Sequence, residues 1–196
     1  MLDIIRRQLQ QSLDTLTKVL NDDSIAQALL EAARVTSDAM HTGRKLLVCG
    51  NGGSAADTQH LVAELVVRLT VDRPALRAIA LTTDSSIFTA IGNDYGFDHI
   101  FSRQVEALGQ PGDVLLAIST SGNSPNCIRA LERARHLQLT TIALTGNGGG
   151  RMAPLADINV IVPCTVTMNI QESQLALEHI FCMLVERCYF GPDFGK

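Results

Sequence analysis

The chain has 196 residues, 46% of them hydrophobic, and carries a formal net charge of −4. That length suits one domain with a full core, the apolar share excludes a disordered or fibrous chain, and the charge argues against a nucleic-acid surface, which wants clustered Lys and Arg. No apolar stretch approaches the roughly 20 residues that span a bilayer, and Asp3, Arg6 and Arg7 interrupt any signal-peptide core, so a cytoplasmic protein without a membrane partner is expected.

The first 43 residues read as a helical prelude. Ile4, Ile5, Leu9, Leu13, Leu16, Val19 and Leu20 recur at helical spacing. Asn21-Asp22-Asp23-Ser24 breaks the pattern and offers N-caps to a second helix running toward His41, which Thr42-Gly43 ends. The apolar faces of this pair need cover, from the main body or from another subunit.

From Lys45 the rhythm changes. Short apolar runs at Leu46–Cys49, Ala78–Leu81, Val114–Ile118, Thr141–Leu144 and Ile158–Val162 predict strands. Between and after them, helices are expected at about 55–69, 86–92, 98–108, 124–137 and 170–189. Such alternation means βαβ units. The expected fold is α/β: a three-layer, doubly wound, five-stranded parallel sheet of flavodoxin-like order behind the prelude. One domain is expected over 1–196, with helices over 1–43 and the α/β core over 45–190. The five cysteines are odd in number and form no C-x-x-C, which predicts reduced, mostly buried thiols.

Three strands run into glycine- and hydroxyl-rich turns: Gly50-Asn51-Gly52-Gly53-Ser54, Ser119-Thr120-Ser121-Gly122-Asn123-Ser124 and Thr145-Gly146-Asn147-Gly148-Gly149-Gly150. In a parallel sheet these ends share one edge, where ligands bind. Tight βα turns need glycine in any case, but three together, one dense in hydroxyls, favour a polar pocket. Ser124 could be a plain N-cap; with a helix N-terminus beside it, the cluster also suits an anion. The turn has no Lys of the G-x-x-x-x-G-K-[ST] kind, and Ala55 breaks G-x-G-x-x-G. A monophosphate ester fits best.

His60 and Glu64 stand four apart on one helix face. The plain alternative is a surface hydrogen bond. Leu61, Val62, Leu65 and Val66 make much of that helix apolar, so a partly buried pair is expected, in need of a ligand or metal. The final helix adds Gln171, Glu172, Glu178 and His179.

These stretches, "CGNGGSAADTQHLVAEL", "IGNDYGFDHIFSRQV", "AISTSGNSPN" and "NIQESQLALEHI", resemble the sugar-isomerase (SIS) phosphosugar-binding family, from about residue 45 to the end. Within it the likeness is to the phosphoheptose isomerases. The resemblance implies interconversion of sedoheptulose 7-phosphate and D-glycero-D-manno-heptose 7-phosphate, the first step toward ADP-heptose and the lipopolysaccharide core. It further implies a homotetramer with one Zn²⁺ per subunit on His60, Glu64, Gln171 and His179. Glu64 would be the base and His179 the acid. A carboxylate held on Zn²⁺ is a weaker base, so Glu64 would alternate between ligating and abstracting. The resemblance places Asn51, Gly52, Gly53, Asn93, Asp94, Glu64 and Gln171 around the sugar, and Ser119, Thr120, Ser121 and Ser124 on its phosphate.

Gln171 and His179 are eight residues apart, about 12 Å along a regular helix. One ion meets both only if the side chains lean together, if Gln171 precedes the helix, or if two subunits contribute. Glu172 lines up better with His179 by helical angle, yet the resemblance favours Gln171. The chain departs from many relatives at Met168, Asn169 and Gln174, where a basic residue before the Ile-Gln-Glu and a His are usual. A second reading is a non-catalytic SIS protein that binds the replication initiator as a tetramer; it lacks the acid–base pair that this chain keeps. A third, an arabinose 5-phosphate isomerase, usually carries regulatory domains for which 196 residues leave no room.

Overall fold

The computed structural model describes residues 1–195. Five short strands, β1 (Leu46–Gly50), β2 (Ala78–Ala80), β3 (Val114–Ser119), β4 (Thr140–Thr145) and β5 (Ile158–Ile161), pair in the order β2-β1-β3-β4-β5. Every pairing is parallel, with Val48 opposite Leu116 and Leu116 opposite Ile142. This is the expected doubly wound order, and its reversal lies between β1 and β3.

Successive strand residues point to opposite faces, and that alternation builds two cores. Leu46, Val48, Leu116, Ile142 and Leu144 pack on one face with Leu29, Leu61, Leu65, Leu177 and Phe181. Leu47, Cys49, Leu115, Ala117 and Ala143 pack on the other with Phe101, Val105, Cys127 and Leu131. Each Leu, Ile, Val or Phe among them, fully buried, contributes about 1.5–3 kcal/mol. The first layer is α2 (Asp23–His41), α3 (Gly53–Val66) and α7 (Thr167–Phe190); the second holds α4 (Ser85–Asp94), α5 (Ser102–Leu108) and α6 (Pro125–His136). All five cysteines are free, and Cys49, Cys127 and Cys182 are buried.

The prelude divides. α2 buries Ile25, Leu29, Ala32, Ala33 and Met40 against the sheet. α1 (Leu2–Leu20) lies along α7, where Ser12 Oγ donates to Glu172 Oε2 at 2.6 Å. It leaves Leu2, Ile4, Ile5, Leu9, Leu13, Leu16 and Leu20 exposed. Among the described residues no helix is long and apolar enough to cross a membrane.

Several boundaries shift, α3 among them at Gly53–Val66 instead of 55–69, and two of the differences have a clear cause or consequence. The helix predicted over 98–108 is a 3₁₀ turn at Phe97–His99 followed by α5, because the fully buried Ile100 and Phe101 fill the joint between them. α7 starts at Thr167, three residues earlier than predicted, so Gln171 lies inside the regular helix rather than ahead of it.

Candidate active site

The reversal in strand order brings together the turns after β1 and β3. Asn51 and Asn126 bridge them with a reciprocal amide pair, each Nδ2 donating to the other's Oδ1 at 2.8 Å. Gly52 takes φ 56°, a left-handed value that favours glycine, and opens α3. A Cβ at Gly53 would collide with the Gln171 amide, so that contact requires glycine.

In the second turn Ser119 Oγ lies 3.0 Å from Ser124 Oγ and 3.4 Å from Ser121 Oγ. Ser124 is the N-cap residue of α6, yet its side chain makes no capping bond. It faces the other hydroxyls instead. α6 has no acid in its first turn and Arg133, Arg135 and His136 in its last, an arrangement that leaves the positive end of the helix free for an anion. The third glycine turn props this one up. Asn147 Nδ2 donates to the Thr120 carbonyl at 3.2 Å and Met152 N–H to that of Gly122 at 2.9 Å. Gly122, at φ 64°, has no room for a Cβ against Gly149.

The second group of polar residues sits between α3 and α7. His60 Nε2 and His179 Nε2 are 2.8 Å apart, with the rings at 89°. Glu64 Oε1 is 3.7 Å from the same His60 nitrogen, too far for the surface hydrogen bond considered above. The pair is only partly buried, with side chains 43% (His60) and 19% (Glu64) exposed, because the buried Leu61 and Leu65 lie about 100° around α3 from this face. Two imidazole nitrogens and a carboxylate oxygen thus converge on one open point.

Gln171 does not reach that point. Its amide Nε2 donates to Asp57 Oδ2 at 2.8 Å. Glu172, better aligned by helical angle, is turned to α1 by its bond from Ser12. Among the described residues no group of three or more His, Cys, Asp or Glu has metal-holding spacing as it stands. Two His and a carboxylate nevertheless match a catalytic Zn²⁺ in kind, while an amide oxygen such as that of Gln171 is a less usual ligand.

Asp57 went unnoticed in the sequence. It precedes His60 by three residues on the same face, and the 57-60-64 spacing was its signal. Burial raises its carboxyl above the usual range, against the opposing pull of the Gln171 bond and His60. Next to His179, Glu178 is buried with neither carboxylate oxygen bonded. Burial, then repulsion from Asp57, raises it to about 8.

Asn93 and Asp94 lie elsewhere. They end α4, exposed and bonded to each other at 2.8 Å. Phe88 and Ile91 of α4 pack in the second core, so the sheet stands between these residues and the two histidines. Eleven residues also separate Gly53 from Glu64, about 16 Å along α3. Within one chain the sheet therefore separates Asn93-Asp94 from the His60–Glu64–His179 group, whereas Gln171 links Asp57, on the helix face of that group, to the turn at Gly53.

The departures have structural partners. Gln174 is fully buried and donates to the Leu144 carbonyl at 3.1 Å, and Asn169 Nδ2 donates to Ser12 Oγ at 3.1 Å. Met168 is exposed.

The SIS domain family matches residues 9–146. A phosphoheptose isomerase of Trichlorobacter lovleyi is 49% identical over 196 residues, covering 100% of this chain and 99% of its own. One of Akkermansia muciniphila is 52% identical over 168 residues, 86% of this chain and 89% of its own. The solved phosphoheptose isomerase of Neisseria gonorrhoeae superposes with a TM-score of 0.88 at 41% identity, covering 94% of this chain and 97% of that one.

Proposed function

The chain belongs to the SIS-domain family, in its phosphoheptose isomerase branch, and on that premise we propose that it interconverts sedoheptulose 7-phosphate and D-glycero-D-manno-heptose 7-phosphate. The observation that carries this reading is the convergence of His60, Glu64 and His179 between two helices. An aldose–ketose isomerase must move one proton between adjacent carbons and adjust the protons on their oxygens. Glu64 takes the proton from one carbon, whose bonding pair becomes the carbon–carbon double bond of an enediol, and returns it to the neighbour. His179 protonates the carbonyl oxygen as that pair shifts and takes a proton from the other oxygen in the second half.

His60, Glu64 and His179 would hold a Zn²⁺ ion, and the Gln171 amide would join them through its oxygen only by leaving its bond to Asp57. When bound it would polarise the sugar oxygens. Ser119, Thr120, Ser121 and Ser124, with the α6 N-terminus, hold the phosphate; Asn51, Gly52 and Gly53 line the sugar cleft. The separation of Asn93-Asp94 from the His60–Glu64–His179 group in one chain supports a homotetramer in which neighbours complete each other's sites. The exposed apolar stripe of α1 and the groove it forms with Ala176 and Ile180 of α7 support the same assembly. The product would feed ADP-heptose formation. The test is turnover of sedoheptulose 7-phosphate by the zinc-supplemented protein. The relatives lend no support to the non-catalytic reading, which failure to turn over combined with binding of the replication initiator would revive.

A further inference from the structure

Arg73 belongs to none of the motifs considered so far. It lies in the irregular segment between α3 and β2, yet its side chain is only 1% exposed and Glu186, its partner on α7, only 3%. Arg73 Nε donates to Glu186 Oε1 at 2.7 Å. The rest of the guanidinium points at the end of α3: Nη2 donates to the Glu64 carbonyl at 2.8 Å, and Nη1 to the Leu65 carbonyl at 2.7 Å and the Pro74 carbonyl at 3.1 Å.

The last carbonyls of a helix have no partner inside it and carry its negative end. α3 has no basic residue in its last turn to answer them. Arg73 supplies the missing donor and charge from outside, and it does so at the backbone of Glu64 itself. Its anchor, Glu186, follows His179 by seven residues, about two turns of α7. One planar group thus ties the backbone of Glu64 to the helix that carries His179. A lysine ammonium, without the rigid fork, cannot meet these directions together.

We infer that Arg73 is a positioning residue for proton transfer, holding Glu64 in register with His179 across the α3–α7 contact. This rests on the assignment of those two as the base and acid. The alternative is that the Arg73–Glu186 pair only stabilises the fold. Buried ion pairs can often be replaced by apolar residues without loss of stability, whereas removing one partner is costly. That asymmetry separates the two roles.

The test compares wild type, Arg73→Lys, Arg73→Met and the double variant Arg73→Met/Glu186→Met in the zinc-loaded protein, measuring melting temperature, kcat and KM. The double variant removes both buried charges but leaves the Glu64 and Leu65 carbonyls without the guanidinium. It is expected to melt near wild type, to lose kcat on the order of 10²-fold and to keep KM within about twofold. Recovery of kcat along with stability would overturn the inference. Arg73→Lys covers the case in which the methionine variants do not fold, and wild-type kcat in it would equally overturn the inference. A wild type without turnover sinks the activity assignment instead. Amide exchange in the last turn of α3 then decides the clamp: exchange about tenfold faster in Arg73→Lys supports it, and unchanged exchange rejects it.

Discussion

His60 and His179 meet nitrogen to nitrogen, Nε2 to Nε2 at 2.8 Å, from two different helices. In neutral rings one nitrogen must donate and the other accept. A Zn²⁺ ion held by both would need a lone pair from each nitrogen, so the direct contact between the rings would have to be given up. The expected result is Zn²⁺ binding by calorimetry that His179→Gln weakens by more than the roughly 10–100-fold typical of losing a supporting residue. Unchanged affinity in that variant would remove His179 from the ligand set.

Glu64→Gln keeps the shape of the side chain and abolishes its basicity. A positioned general base contributes on the order of 10²–10⁴-fold, so kcat should fall at least that far with circular dichroism unchanged. Solvent deuterium should also cease to enter the sugar at the carbon that Glu64 serves. A variant that still isomerises and exchanges at near-normal rates would show that another group moves the proton.

The hydroxyl turn makes a different prediction, because in the proposed reading it would hold the end of the substrate that does not react. Ser119→Ala and Ser124→Ala each remove one donor to a charged group, about 1.5–3 kcal/mol, or roughly tenfold or more in affinity. The loss should appear in KM for the phosphorylated sugar. Ser124 makes no capping bond, so Ser124→Ala should leave the melting temperature within a degree or two, about the effect of a neutral surface change. A large stability loss with unchanged KM would return Ser124 to the role of plain N-cap.

What was legible in the sequence follows the range of the interactions. Strand alternation and glycine turns are local, so the five strands and the turns after β1 and β3 could be read directly, whereas the strand order, a long-range property, was only the one that suits this fold class. His60 and Glu64 shared a helix face by spacing alone. Contacts across the chain could not be read that way. Neither the amide pair of Asn51 and Asn126, nor the Gln171 bond to Asp57, nor the seating of Arg73 on Glu186 leaves a local pattern, since each joins residues far apart in the chain. The greater exposure of His60 than of Glu64 is not a local pattern either: apolar neighbours on a helix show which side is buried only when their angles are weighed.

Glu178 gives the pH-dependent prediction. Its carboxyl borders an apolar hollow lined by Leu61, Leu116, Ile142, Leu144 and Phe181, with no bond to either oxygen. Burial, with a smaller push from Asp57, raises its pKa from 4.5 to about 8. The unfolded chain releases this proton near the ordinary value, while the folded chain keeps it until about pH 8. Between those values the unfolded state binds fewer protons, so stability falls as pH rises across the window and levels off above it. Glu178→Leu removes the dependence and fills the hollow with carbon. Denaturant unfolding of the metal-free protein at fixed concentration should show the variant more stable than wild type at pH 8, by up to about 4 kcal/mol, with the gap shrinking toward pH 5. A gap that widens as the solution is acidified would mean that this carboxyl is charged in the fold and has a partner, because only a stabilised anion reverses the sign.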